Sequence, residues 1–310
     1  MKKVAVLAAA VLIIITLGVF VIQQEVMHKD VAHTSHFVMG SVLTQSIWGK
    51  SSKTCTEEVF AAMEALEDEL NAMTEAPPLA LEFSEASDGA FSPYLGAVTA
   101  LWNIDSKDGT PPRVPSQEEI DAALLKKELD LGAYGKGAAC DEALRKLMAS
   151  VNGAVINLGG NIVTYKQKRL GKPFQIALRD PKGGANNALG MFKLIGIHFI
   201  STSGSYEKFF EEGGKRYHHI FDPKTGYPAE TEGLISVTVI THEPGTENGG
   251  ALGDMLSTAC FVLGYDDSQE LLRKYNAAAI FVYESGEVRA TEGVSNYFEI
   301  TNLNYHWRDE

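Results

Sequence analysis

Residues 130–141 read Asp-Leu-Gly-Ala-Tyr-Gly-Lys-Gly-Ala-Ala-Cys-Asp, and this stretch is the most informative in the chain. An acidic residue precedes three glycines and a lysine, and a helical pattern follows. At such a helix start, backbone N–H groups and the lysine can face an anion. The Walker A spacing GxxxxGK[ST] and the GxGxxG spacing are both absent. The stretch therefore indicates either an anion site or simply a glycine-rich entry to a helix.

Two segments further along the chain carry polar groups of the same kind. Asn157-Leu-Gly-Gly-Asn161 ends a strand, where paired glycines allow either the approach of a ligand or a tight turn. In Asp254-Met-Leu-Ser-Thr258, a helix would place Asp254 and Thr258 on one face. A carboxylate beside a hydroxyl suits a hard cation such as Mg²⁺. The alternative is that Asp254 only caps its helix.

Two adjacent histidines, His218 and His219, precede Asp222. Neighbouring side chains on an extended segment point to opposite faces, so only one of the two enters any one site. This pattern favours a histidine that acts as an acid or base, or contacts a ligand, over a pair of zinc ligands.

Hydrophobic periodicity and turn residues predict a mixed α/β (α+β) fold with sheets flanked by helices. Helices are expected at about 56–73, 116–127, 136–148, 254–263 and 268–275, and strands at 37–48, 154–158, 174–178, 191–202, 234–241, 279–283 and 297–301. No Gly/Ser/Pro linker divides these elements. We therefore expect a single domain at 37–303, followed by a short tail at 304–310.

The N-terminus predicts a membrane helix. Residues 4–22 contain 19 consecutive residues without a charge, preceded by Lys2 and Lys3. A span of about 17–25 apolar residues can cross a bilayer, whereas a cleaved signal peptide, the alternative, usually has an apolar core of about 7–15 residues. We expect a single-pass anchor at 1–25 in the cell membrane and a polar linker at 26–36. The positive-inside rule then places the body outside the cytoplasm.

Composition excludes several classes of protein. Hydrophobic residues make up 45% of the 310, enough for a sizeable core. Lys and Arg number 27 against 40 Asp and Glu, a net charge of −13, so a nucleic-acid-binding protein is not expected. Three cysteines, with no CxxC spacing, do not form a disulfide scaffold.

Taken in order, seven motifs resemble those of the ApbE family, the FAD:protein FMN transferases. They are MGS at 39–41, DGAFSP at 88–93, DLGAYGKGAACD at 130–141, NLGGN at 157–161, STSGSYE at 201–207, HIFDPKTGYP at 219–228 and DMLSTACFVLG at 254–264. Together they cover about residues 37 to 301. The family usually has Asp where Ser92 stands, and the segment after the first helix is shorter here than in most members.

The resemblance implies an ApbE-like domain that binds FAD and Mg²⁺. Such an enzyme moves FMN onto a Thr or Ser hydroxyl of an acceptor protein, such as an FMN-binding redox subunit, and releases AMP. Two alternatives share the same motifs, namely an FAD pyrophosphatase that gives FMN and AMP, and a non-catalytic flavin-binding protein at the membrane.

The resemblance also implies roles for individual residues. The expected flavin and nucleotide contacts are Met39 on the isoalloxazine, Ala90, Phe91 and Ser92 in the pocket wall, Asp130, Lys136, and Ile220. The expected metal ligands are the Ala133 carbonyl, Asp254, Ser257 and Thr258. His219 is the candidate base, and Asp254 is expected to be essential for catalysis.

Overall fold

The computed structural model describes residues 30–105, 109–147, 151–168, 171–184, 186–242 and 248–308. The membrane helix expected at 4–22 lies outside these residues. Within the described ranges, no helix is both long enough and apolar enough to cross a membrane.

The described chain forms seven α-helices and fourteen β-strands. The helices are α1 Ser52–Ala72, α2 Pro78–Ala86, α3 Gly96–Trp102, α4 Gln117–Leu124, α5 Gly135–Lys146, α6 Gly249–Asp267 and α7 Gln269–Lys274. The strands are β1 Val31–Val38, β2 Ser41–Gly49, β3 Val151–Leu158, β4 Asn161–Lys166, β5 Phe174–Arg179, β6 Ala188–Leu194, β7 His198–Gly204, β8 Phe209–Glu212, β9 Lys215–His218, β10 Leu234–His242, β11 Ala278–Tyr283, β12 Glu287–Ala290, β13 Phe298–Ile300 and β14 His306–Trp307.

One large sheet organises the molecule. Its nine strands run in the order β1-β2-β3-β4-β7-β10-β11-β12-β14, and only the β12–β14 pair is parallel. A three-stranded sheet has the order β13-β6-β5, and β8 pairs with β9 as a separate hairpin. This architecture confirms the predicted mixed α/β fold.

The large sheet is covered on both faces, as the alternating side chains of β10 show. Val237 and Val239 pack with α6 residues such as Leu256 in one hydrophobic cluster. Ile240 packs on the opposite face with Phe192 of the three-stranded sheet. Because both faces are covered, every residue of β10 from Ser236 to Thr241 is buried, and its β-branched residues made the strand recognisable in the sequence.

All five predicted helices form, but several boundaries differ from the prediction. The helix predicted at 254–263 begins at Gly249, and the strand predicted at 191–202 is two strands, β6 and β7. Strand β1 begins at Val31, so residues 31–36 of the predicted linker 26–36 are part of a strand that pairs with β2. Helices α2 and α3 were not predicted.

Candidate active site

The glycine-rich stretch enters α5 in contact with α6. A Cβ on Gly137 would lie 2.6 Å from the Gly250 carbonyl carbon and 2.7 Å from Cβ of Asp254. Only a glycine allows this close approach of the two helices. The Gly137 N–H donates to Oδ2 of Asp254 at 3.0 Å, rather than to the Ala133 carbonyl four residues earlier.

Asp254 lies in the second turn of α6 and is only 4% exposed. The helix has Asn248 as its N-cap residue, so the alternative that Asp254 caps the helix is wrong. Oδ1 of Asp254 accepts a hydrogen bond from Nδ2 of Asn161 at 3.2 Å. No salt bridge to Asp254 is found among the described residues. A buried carboxylate that is bonded only to neutral N–H groups attracts a cation.

Hydroxyl groups surround the next turn of α6. The Ser257 hydroxyl donates to the Asp254 carbonyl at 2.9 Å. Ser203 on β7 places its Oγ 2.8 Å from Oγ of Ser257 and 3.2 Å from Oγ1 of Thr258. The structure thus brings three of the predicted metal-site residues together, and it adds Ser203, which the sequence showed only as part of the STSGSYE motif.

Asp141 holds the start of α6 in place. This buried carboxylate accepts the N–H groups of Gly250 and Ala251, each at 2.8 Å. Helix N-termini leave such donors without intrahelical partners, and a carboxylate there is stabilising. Asp141 therefore fixes α6 against α5 one turn before Asp254. In the sequence it was visible only as the last residue of the glycine-rich stretch.

The donor set fits Mg²⁺. It offers one carboxylate, the hydroxyls of Ser257 and Thr258, and the Ala133 carbonyl, whose helical donor, the Gly137 N–H, bonds to Asp254 instead. Mg²⁺ takes oxygen ligands and is commonly held by one or two carboxylates together with waters and substrate phosphates. In the described part of the chain, no three His, Cys, Asp or Glu side chains gather at one place, so neutral oxygens must supply the remaining ligands.

The loop before α5 is ordered by Asp130. Its Oδ1 accepts the Gly132 N–H at 2.9 Å, and its Oδ2 accepts the Thr99 hydroxyl of α3 at 2.6 Å. Nζ of Lys136 donates to the Gly132 carbonyl at 3.0 Å and is available to an anion once that bond is exchanged. The anion site at this stretch stays a prediction.

The β1–β2 hairpin brings its tip to the same place. Met39 adopts a left-handed backbone conformation in the turn (φ 53°). Its Cε lies 3.1 Å from where a Cβ on Gly135 would stand. The β3–β4 turn touches the tip as well, since a Cβ on Gly159 would lie 2.9 Å from Cβ of Ser41. Met39 thus lies beside the entry to α5.

Three of the predicted flavin-contacting residues are part of the core. Ala90, Phe91 and Ile220 are 3%, 2% and 5% exposed and share one hydrophobic cluster with α6. The Phe91 ring packs edge-to-face on Phe83, with 5.5 Å between ring centroids. Ser92 is half-buried, and its hydroxyl accepts the Tyr94 N–H at 3.2 Å. The structure brings these segments to α6, and their contacts with flavin stay predictions.

The two histidines have different environments, as the sequence predicted. His218 is buried; its Nδ1 accepts the Ile220 N–H at 3.2 Å and its Nε2 lies 3.0 Å from the Ala229 carbonyl oxygen. His219 is half-buried, with Nδ1 3.3 Å from the Lys208 carbonyl oxygen. A carbonyl only accepts, so the proton of His219 belongs on Nδ1 and the lone pair on Nε2.

Electrostatics keep His219 neutral. Burial, and then the charge of Lys208, lower the pKa of His219 to about 4, and the charge of Lys136 acts in the same direction. At neutral pH, His219 therefore presents an unprotonated Nε2, which is the form a general base requires.

Comparisons with known proteins identify the family of this chain. A model of the ApbE family matches residues 71–281. A curated FAD:protein FMN transferase of Treponema pallidum (strain Nichols) is 34% identical over 262 residues, which cover 73% of this chain and 69% of the relative.

Solved structures show the same fold. The ApbE protein of Thermotoga maritima superposes with a TM-score of 0.73 at 26% identity, covering 86% of this chain and 99% of that one. The apo flavinyl transferase ApbE of Pseudomonas stutzeri gives a TM-score of 0.69 at 27% identity, covering 86% and 96%. The chain therefore belongs to the ApbE family, and it is an enzyme of the transferase class.

Proposed function

We propose that this enzyme transfers FMN from FAD to a Ser or Thr hydroxyl of an acceptor protein, in a Mg²⁺-dependent reaction that releases AMP. The observation that carries the proposal is the position of Asp254. Its carboxylate is buried and accepts the N–H of Gly137 at the start of the glycine-rich helix, and the hydroxyl-bearing Ser257 and Thr258 follow it one turn later on α6. A cation held at this carboxylate would supply the positive charge that a diphosphate needs. The relatives named above are FAD:protein FMN transferases or flavinyl transferases.

The reaction is a displacement at the FMN phosphorus of FAD. The acceptor hydroxyl oxygen forms a new P–O bond, the bond from that phosphorus to the bridging oxygen breaks, and AMP leaves with the bridging oxygen. Nε2 of His219 takes the hydroxyl proton, because an alcohol is too weak an acid to lose it unaided at neutral pH. Nζ of Lys136, once it leaves the Gly132 carbonyl, binds the phosphate oxygens.

Ala133, Asp254, Ser257 and Thr258 are the residues that would hold Mg²⁺. When bound, the ion supplies positive charge to the diphosphate oxygens as negative charge builds on them and on the leaving AMP. Asp254 supplies the negative charge that balances the ion. Gly137 and Asn161 each donate one hydrogen bond to its carboxylate and so fix its orientation.

One assay separates this function from its two alternatives. The purified protein is incubated with FAD, Mg²⁺ and a candidate acceptor, and the acceptor is examined by in-gel flavin fluorescence. Labelled acceptor supports transfer. AMP without labelled acceptor identifies an FAD pyrophosphatase, and bound flavin with neither product identifies a binding protein. A catalytic base is not needed for binding alone, which is why the free Nε2 of His219 favours an enzyme.

The proposal extends to location. The uncharged stretch at 4–22, with Lys2 and Lys3 before it, supports a single-pass anchor in the cell membrane and a catalytic domain outside the cytoplasm. An FMN-binding subunit of a membrane redox complex is then an accessible acceptor. Labelling by a membrane-impermeant reagent, on intact cells, of a cysteine introduced at exposed Leu303 tests the orientation.

We expect His219→Ala to slow transfer by about 10²–10⁴-fold, the usual contribution of a general base. The rate of acceptor labelling at saturating FAD measures this effect. His306→Ala is the matched control, because His306 is exposed on the edge strand β14 and should leave the rate unchanged. A His219→Ala enzyme that works at the wild-type rate would remove His219 from the mechanism.

The pH profile should reflect the same residue. Since burial lowers the pKa of His219 to about 4, the base stays unprotonated at neutral pH, and kcat/KM should lose its base-dependent part only as the pH falls towards 4. An acid limb near 6.5 would contradict this prediction.

The stability of the fold should also depend on the protonation of His219. The unfolded histidine binds its proton near pH 6.5 and the folded one only near pH 4, so the free energy of unfolding should decrease as the pH is lowered from 6.5 to about 4. Circular dichroism at each pH separates unfolding from protonation of the base.

A further inference from the structure

Asn161 is a buried polar residue beside the candidate metal site to which the reaction assigns no contact with substrate or ion. It is the first residue of β4 and is 1% exposed. The preceding turn has positive φ at both Gly159 and Gly160, 57° and 94°, as a tight two-residue hairpin turn requires. This turn fixes where Asn161 leaves the hairpin and points its amide at α6.

The orientation of the amide is determined by its neighbour. Nδ2 of Asn161 donates to Oδ1 of Asp254 at 3.2 Å. The flipped amide would set its oxygen against a carboxylate oxygen, so that two acceptors would face each other. Oδ1 of Asn161 is therefore directed away from Asp254. It is buried and has no hydrogen-bond partner within the described part of the chain.

An acceptor buried without a partner costs about 1–3 kcal/mol, so such a group calls for a ligand. An amide suits this position because it donates to the carboxylate and still carries no charge. A lysine or arginine there would neutralise Asp254 and so compete with a cation. A leucine has a similar size but no donor. It would leave the Asp254 carboxylate with only the Gly137 N–H of the two donors described.

We infer that Asn161 is a positioning residue of the cation site, which holds the Asp254 carboxylate through Nδ2 and gains a partner for Oδ1 when a hydrated Mg²⁺ is bound. This inference rests on the proposed function, because it takes Asp254 as a metal ligand. It assigns the NLGGN segment a contribution to ion binding that is distinct from the turn made by its glycines.

The test measures ion affinity rather than catalysis. Mg²⁺ and Mn²⁺ are titrated by calorimetry into the full chain in detergent, without FAD. Residues that orient a metal ligand usually contribute about 10–100-fold to affinity, and we expect a loss of that size for Asn161→Leu. Asn304→Leu is the matched control, because Asn304 is an exposed asparagine between β13 and β14. The control should bind the ions with wild-type affinity.

Two further variants make the result decisive. Asn161→Ser introduces no bulk and serves as the binding variant if Asn161→Leu fails to fold. In the double variant with Asp254→Asn, Asn161→Leu should cause no further loss if it acts through Asp254. Wild-type affinity in the folded Asn161 variants, with affinity lost in Asp254→Asn, would overturn the role of Asn161 alone. Absence of ion binding in the wild type would overturn the metal site of the proposed function as well.

Discussion

Asp254→Asn is expected to abolish Mg²⁺-dependent flavin transfer, with a loss of at least about a thousandfold, because metal stabilisation of a transition state is worth several kcal/mol. The substitution keeps the shape of the side chain and removes its charge, and the nearby Asp141 carboxylate is already bonded to the N–H groups of Gly250 and Ala251. The fold should survive, since the Asn161 amide can flip and accept the new N–H from residue 254 in place of donating to the carboxylate.

The measurement is acceptor labelling as a function of Mg²⁺ concentration, with circular dichroism as the check on folding. Asp121→Asn is the control, because Asp121 is an exposed carboxylate on α4 that bonds only to Gln117 among the described contacts. It should give the wild-type rate and Mg²⁺ dependence. An Asp254→Asn enzyme with unchanged Mg²⁺ dependence would refute the assignment of the metal site.

Helix ends that are determined by neighbouring residues in the sequence were the easiest to predict. The helix predicted at 116–127 begins with a capping box, in which the Ser116 hydroxyl accepts the Glu119 N–H and the Glu119 carboxylate accepts the Ser116 N–H. The pair Pro77-Pro78 separates two helices, but it does so by placing Pro78 in the first turn of α2, a position where proline is favoured. The same two prolines that end one helix therefore begin the next, α2, which was not predicted.

The start of α6 was not predictable in the same way. Gly249 and Gly250 have low helix propensity, so the pattern pointed to a helix that begins near Asp254. In the structure, Asp141 of α5 satisfies the donors of that first turn from 109 and 110 residues away in the sequence. The N-cap alternative for Asp254 was wrong for this reason, since the cap comes from another helix.

The residues of the site divide in the same way, into those that a local spacing indicates and those that meet only in the fold. Asp254 and Thr258 stood out because a helix places residues four apart on one side, whereas Ser257 was expected only from the resemblance to the family. Asn161 and Ser203 come from two neighbouring strands of the large sheet, β4 and β7, and meet α6 only through the fold. No spacing in the sequence reports these contacts, so a single sequence could suggest their motifs but not their partners.

Gly137→Ala is expected to be the most damaging single-methyl substitution in this region, destabilising the enzyme by about 3 kcal/mol or more. The new Cβ would lie 2.6 Å from the Gly250 carbonyl carbon and 2.7 Å from Cβ of Asp254. The first of these contacts is backbone that Asp141 holds in place, so the clash is relieved only by moving α6 away from α5. That movement would also break the bond from the Gly137 N–H to Asp254, and Mg²⁺ affinity should fall with stability.

Denaturant unfolding monitored by circular dichroism measures the first effect, and ion titration of the folded fraction measures the second. Gly135→Ala, two residues earlier in the same helix, is the matched control. Its Cβ would meet only the ends of flexible side chains, Met39 Cε at 3.1 Å and Leu70 Cδ1 at 3.2 Å, so its stability should change by about 1 kcal/mol or less. A Gly137→Ala protein that unfolds at the wild-type denaturant concentration would show that the two helices have room to separate, and that Asp254 is not held by their contact.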